Sequence, residues 1–341
     1  MNLAWFLFAL FAFDAMSVRQ ALDHDSSREG TLRLILTLNA IELKEARRAP
    51  LGFPLVRLVE NQSLPVRERI MAARAIARLN ARQVSDRLGP LLGRVETPES
   101  TAVAREVAQT LYQLGARQTL RAGLGSRDPE VRRFAAQSGA GGLALCALLR
   151  DDPWPMVRTA AAQGLGLEPR ASSCLQAGLK DPAPKVRAAC VEALSELGNA
   201  ASIEQFRAFA LNANEDRRVR RAAIMALGQL GHVRTASDLI STHLKHGELA
   251  PLAQVAVISL AHSKVPDTVF LQALHSTAPT VILAAARILH RRDQQRYAST
   301  IREARRRLRG RLREQLDLMM TPPVHAQSLG QDIVTDAPED P

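Results

Sequence analysis

The stretch DPAPKVRAACVEALSELG, Asp181 to Gly198, recurs along this chain and fixes what the chain can fold into. Asp181 and Pro182 belong to an N-cap region, and Pro184 suits the first helical turn, where a missing N–H costs nothing. Val186, Ala189, Cys190, Ala193, Leu194 and Leu197 then fall at helical spacing, giving one apolar stripe that must be buried. Gly198 supplies the left-handed residue that commonly ends a helix. Val103, Val131, Val157, Val219, Leu252 and Val281 take the place of Val186 elsewhere, at intervals of 28, 26, 29, 33, 33 and 29 residues. Leu111, Leu165, Leu227, Leu260 and Leu289 follow eight positions after their partners, as Leu194 does. One unit is therefore a pair of helices with the turns that join them. A period this regular predicts an all-α chain, an α-α superhelix of roughly seven to nine helical hairpins, each burying its stripe against its neighbours.

The repeated motif stands as DPEVRRFAA from Asp128 to Ala136, DPWPMVRTAAAQGLG from Asp152 to Gly166, the Asp181 stretch itself, and DRRVRRAAIMALGQLG from Asp216 to Gly231. It resembles HEAT-like repeats, the short kind of about thirty residues also seen in the phycobilisome lyase family. The resemblance covers residues 99–290 and is degenerate before them. It implies a HEAT-like solenoid and is nearly silent on activity, because such repeats serve scaffolds, adaptors and a few enzymes. Asp128 with Arg132, Asp152 with Arg158, Asp181 with Arg187, and Asp216 with Arg220 match the pattern. By that resemblance they form a structural ladder, in which carboxylates at helix starts bond to backbone and to neighbouring Arg.

Charge and cysteine bound the rest. The chain carries 45 basic against 34 acidic residues, and only Lys44, Lys180, Lys185, Lys245 and Lys264 are lysines. That Arg bias fits a GC-rich bacterial genome as readily as phosphate recognition. Residues 291–313 hold ten Arg against Asp293 and Glu303, whereas the chain from Glu314 onward has six acids and no Lys or Arg. Cys146, Cys174 and Cys190 show no C-x-x-C spacing, which excludes a zinc knuckle or a dithiol redox motif. Cys174 and Cys190 fall in consecutive helices and could meet; their surroundings favour small buried hydrophobes.

In chain order, residues 1–17 read as a signal peptide or a hydrophobic N-terminal segment. Leu3 to Phe13 form an apolar run of h-region length, with Ala15 and Ser17 as small residues before a cut at Val18. The expected location is periplasmic or secreted, and cytoplasmic if that segment is instead a cap helix. Residues 18–98 form divergent N-terminal helical repeats, with 18–30 polar and loose and LRLILTLNAIELKEA a helix. Residues 99–292 are the regular array, with a longer link between Gly198 and Asp216. Residues 293–320 form a basic C-terminal capping helix. Within it Ile301 to Leu316 puts Ile301, Ala304, Leu308, Leu312 and Leu316 on one face. Residues 321–341 form a disordered acidic tail.

No site of chemistry stands out. His243 and His246 share a helix face and are weak metal candidates if a third ligand arrives. No His-Glu dipeptide occurs, so the signature of HEAT-like di-iron hydroxylases is missing. No phosphate loop, nucleophile elbow or Cys-His pairing is present, and no cofactor or small-molecule substrate is evident. The reading is a non-enzymatic scaffold or adaptor that binds a protein partner through its concave face. One alternative is nucleic-acid or anionic-membrane binding through Arg302, Arg305, Arg306, Arg307, Arg309, Arg311 and Arg313. A second is a lyase-like or metal-dependent enzyme on the same solenoid.

Overall fold

The computed structural model describes residues 15–47, 50–246, 250–261 and 265–320. Among these every regular element is helical. The α-helices are α1 (Ala15–Asp23), α2 (Asp25–Thr37), α3 (Ala40–Ala46), α4 (Gly52–Glu60), α5 (Val66–Leu79), α6 (Ser85–Leu88) and α7 (Pro98–Leu114). They continue as α8 (Arg117–Leu120), α9 (Pro129–Gln137), α10 (Leu145–Asp151), α11 (Pro155–Leu165), α12 (Ser172–Gly178), α13 (Pro184–Glu196) and α14 (Ile203–Leu211). The last are α15 (Arg217–Gln229), α16 (Val233–His246), α17 (Ala250–Ser259), α18 (Asp267–Ala273), α19 (Pro279–Arg292), α20 (Gln294–Arg305) and α21 (Gly310–Met320). The chain forms two compact units, one ending at Ala226 and the other beginning at Leu227.

The first unit is built from helical hairpins. A short helix packs on the long one after it, as α4 does on α5, α10 on α11 and α12 on α13. The long helices α5, α7, α9, α11 and α13 stack in one layer, and α10 lies on α12 in the other. The cause is the stripe: Val131, Val157 and Val186 are all fully buried, as are Leu111, Leu165 and Leu194 eight places after their own register valine or after Val103. Gly115 and Gly198 end α7 and α13 in the left-handed conformation, with φ of 70° and 66°.

Three expectations need correction. Residues 18–30 are not loose: α1 and α2 occupy them, because Val18 and Leu22 are buried and Arg28 Nε donates to the Leu22 carbonyl at 2.8 Å. LRLILTLNAIELKEA is not one helix but breaks at Leu38–Asn39, where Asn39 Oδ1 accepts the amides of Ile41 and Glu42 at 2.9 and 3.1 Å. Such a local cap competes directly with helix continuation. The link after Gly198 is itself helical, since α14 buries Phe206 and Phe209.

In the second unit α16 packs on α17, α18 on α19, and α17 on α19, repeating the hairpin pattern. Helices α20 and α21 both pack on α19 and close this unit. The stretch Ile301 to Leu316 is therefore not a single helix. The chain turns between Arg305 and Gly310, through short-range bonds from Arg306, Arg307 and Leu308 to carbonyls three residues back. Both arms still bury the apolar stripe, through Ile301, Ala304, Leu308 and Leu316.

Candidate interaction surfaces and the ion-pair ladder

The repeated Asp and Arg side chains face the helix starts, where they do two jobs at once. Asp128 Oδ1 accepts the amides of Glu130 and Val131 at 3.0 and 3.1 Å, capping α9, while Oδ2 takes Arg105 Nη2 at 2.7 Å. Asp152 and Asp181 do not cap their helices. Each lies two residues before the N-cap and accepts that residue's amide, from Trp154 at 3.0 Å and from Ala183 at 2.8 Å, so the N-cap region placed at Asp181 and Pro182 shifts to Ala183. Arg132 then grips Asp152, and Arg158 grips Asp181, each with a 2.7 Å bond from Nε and a second from Nη2. The remaining guanidinium nitrogen of each returns to its own loop: Arg132 Nη1 donates to Ser126 O at 2.9 Å, and Arg158 Nη1 to Asp152 O at 2.9 Å. Each arginine thus ties its own turn to the helix start of the next hairpin.

The fourth rung departs from the Asp216–Arg220 assignment. Arg187 pairs with Glu215 at 2.5 Å, one position earlier in a longer loop. Asp216 Oδ1 accepts the Arg218 amide, and Arg220 Nε donates to Ala210 O at 3.3 Å. The pKa directions record the difference. The Asp181 hydrogen bond raises Arg158, whereas burial lowers Arg220. Asp128 shows the competition inside one group: burial pushes it up, yet the Arg105 hydrogen bond with the Val131 and Glu130 amides outweighs burial and holds it low.

The cysteines pair differently from the Cys174–Cys190 contact that chain order suggested. Cys146 and Cys174 form a disulfide, with Cα atoms 5.6 Å apart. They lie 28 residues apart, in equivalent short helices α10 and α12, so stacking one unit on the next brings them together. Cys190 sits in the core, its thiol pushed up to about 12 by burial and then by the Asp181 charge, which makes it inert at neutral pH.

In the second unit one cluster of titratable groups is held by hydrogen bonds. Asp267 accepts from Arg292 at 2.6 Å and from the Tyr297 hydroxyl. That shared hydrogen bond lowers Asp267 and raises Tyr297, fixing both in their resting protonation states rather than poising either for proton transfer. Among the described residues no group of His, Cys, Asp and Glu could hold a metal ion. The His243 and His246 side chains lie outside the described residues.

Two surfaces stand out, one with exposed Tyr112 beside half-buried Phe134 and Arg133, the other a groove in the second unit. On the long-helix layer, Tyr112 of α7 meets Phe134 of α9 with ring centroids 5.8 Å apart, and the Arg133 guanidinium lies 4.0 Å from the Phe134 ring centre. Tyr112 and Phe134 are 22 residues apart, so no local motif announces the pair. In the second unit a groove of about 720 Å³ is lined by His290, Gln294, Arg302, Arg305, Arg306 and Met320. The basic candidates divide there. Arg305 pairs with Asp317, and Arg307 donates to the carbonyls of Leu274, His275 and Ser276 at the end of α18. Arg302, Arg306, Arg309, Arg311 and Arg313 are exposed.

The family model described as HEAT repeats matches residues 172–261, from α12 through α17. The chain carries HEAT-like repeats there. Its fold class is all-α, a HEAT-like solenoid. An X-ray structure of YibA from E. coli is 16% identical, covering 77% of this chain and 98% of that one at a TM-score of 0.45. The complex of CpcE and CpcF of phycocyanin lyase from Nostoc sp. PCC7120 is 20% identical, covering 79% of this chain and 93% of that one at a TM-score of 0.33. No curated protein matches the chain.

Proposed function

We propose that this HEAT-like repeat protein is a non-enzymatic scaffold that binds a protein partner on the exposed face of its long-helix layer. The Tyr112–Phe134–Arg133 cluster carries this reading. Tyrosine and arginine are enriched among the residues that anchor protein interfaces, because both combine large contact area with hydrogen bonding. Tyr112 is exposed, whereas Phe134 packs against the core and holds the Tyr112 ring and Arg133 in place. A photo-crosslinking residue at exposed Gln109, one turn before Tyr112, tests the proposal. A discrete protein adduct, lost in Tyr112→Ala while the melting temperature is unchanged, is expected. An adduct pattern indifferent to Tyr112 and Arg133 contradicts it.

The exposed Arg302, Arg306, Arg309, Arg311 and Arg313 around the α20–α21 hairpin support a second reading, a surface for nucleic acid or anionic lipid. Binding to duplex DNA would then weaken steeply with salt, through counterion release, and fall further in Arg302→Gln/Arg306→Gln.

The Cys146–Cys174 bond supports a further element of the proposal, residence in an oxidising compartment such as the periplasm. Mass spectrometry of the native N-terminus tests it: a mature start near Val18 is expected, and an intact Met1 in a cytoplasmic fraction contradicts it.

A further inference from the structure

The ladder has a rung without a carboxylate. In α5, Arg69 holds the place that Arg220 holds in α15, its Nε donating to the carbonyl ten residues back, here Val59 O at 3.0 Å. Arg69 is 5% exposed. At the neighbouring rungs the next long helix starts with an acid, so that Asp128, the N-cap of α9, receives Arg105. The N-cap of α7 is Thr97. Asp128 has one oxygen for the cap and another for arginine. Thr97 has a single side-chain oxygen, and the cap uses it: Oγ1 accepts the Ser100 amide at 3.1 Å, and Ser100 Oγ accepts the Thr97 amide at 3.0 Å.

Among the described residues no carboxylate pairs with Arg69. Among the described residues neither Arg69 nor Arg94 makes an ion pair, and the charge that Arg69 feels is a second cation. Burial and then Arg94 both lower its pKa, opposite to the raised values of Arg105 and Arg158. The two arginines, Thr97 and Ser100 line a cavity of about 240 Å³ at the first turn of α7, with exposed Glu96 and Glu99 also lining it. The positive end of a 17-residue helix faces the same space.

We infer that this cavity binds an oxyanion, the phosphate or carboxylate group of a small molecule, where the Arg105, Arg132 and Arg158 rungs place an aspartate. Arg69 supplies a buried guanidinium held in place through Nε by Val59 O, and Arg94 an exposed second cation. Glu96 and Glu99 disfavour polyphosphates and restrict the site to a single anionic group.

Thermal denaturation of the full chain in phosphate-free buffer tests this, with sodium phosphate or sodium acetate added at constant ionic strength. Phosphate stabilises proteins generally by exclusion from their surfaces, so the variants decide. Thr97→Asp keeps the cap and supplies the missing carboxylate, so it should melt higher than wild type and lose the anion response. Arg94→Gln, at an exposed position, should fold normally and respond more weakly. In wild type one of the two anions should raise Tm by about 2 °C or more beyond its effect on Thr97→Asp. A larger response to phosphate identifies a phosphate-bearing ligand, and a larger response to acetate a carboxylate. Equal responses in wild type, Thr97→Asp and Arg94→Gln, or none in any of them, overturn the inference.

Discussion

Arg132 reaches across a hairpin boundary to Asp152 at 2.7 Å, with 12% and 3% of the two side chains exposed. Both charges are nearly dry, so removing one strands the other. Arg132→Ala should cost about 3–5 kcal/mol, the penalty of an uncompensated buried charge. Replacing both at once by Met and Leu should cost much less. Urea midpoints of the three variants check this, and a mild Arg132→Ala phenotype would contradict it.

Asp128 gives the first unit an acid sensitivity with a defined sign. Its folded carboxyl lies below the ordinary value, despite burial, because Arg105 and the α9 amides hold it ionised. Its contribution is therefore full above the unfolded value of about 3.9 and is lost as pH falls through the lower folded value. The stability gap between wild type and Asp128→Asn should be constant near neutrality and close progressively as pH falls below about 4. A gap that does not change with pH would contradict the assignment.

The disulfide and the free thiol are separable by alkylation. In unfolded, unreduced protein only Cys190 should be modified, and in native protein its buried thiol should resist. Modification of all three cysteines before reduction would exclude the Cys146–Cys174 bond. Cys146→Ser/Cys174→Ser should lose about 2–4 kcal/mol of stability.

At Gly164, α11 lies close against the Ala136 carbonyl of α9. A Cβ there would overlap the Ala136 carbonyl oxygen and come within 2.9 Å of Leu145 Cδ1. Gly164→Ala should destabilise by about 1–3 kcal/mol, against the usual benefit of alanine in a helix. A stabilised variant, measured by thermal melting, would show that α9 and α11 are further apart.

The long helices were legible because Val131, Val157 and Val186 repeat a local stripe that only burial explains. The ladder's partners were less legible, since each rung spans two hairpins and depends on loop length. Glu215 takes Arg187 from one place before Asp216, and Arg105 lies two places after Val103 where the other arginines lie one place after their valine. The motif Asp-Pro-x-Val-Arg marks neither. Cys146 and Cys174 could have been matched by their one-unit separation, but consecutive order along the chain pointed to Cys190 instead. Breaks at Asn39 and after Arg305 escape a periodicity reading, because the apolar spacing continues through both. The Tyr112–Phe134 contact joins different helices and exists only once α7 and α9 are packed.

The repeated Asp and Arg join successive hairpins of the first unit, which leaves recognition to the exposed side chains. A double-mutant cycle on Arg158 and Asp181, whose side chains are 11% and 8% exposed and 2.7 Å apart, measures that directly. Urea denaturation of wild type, Arg158→Ala, Asp181→Ala and the double variant should give a coupling of about 1–3 kcal/mol. Additivity to within about 0.5 kcal/mol would mean the pair does not act as one structural element, and the ladder would not be what holds successive hairpins together.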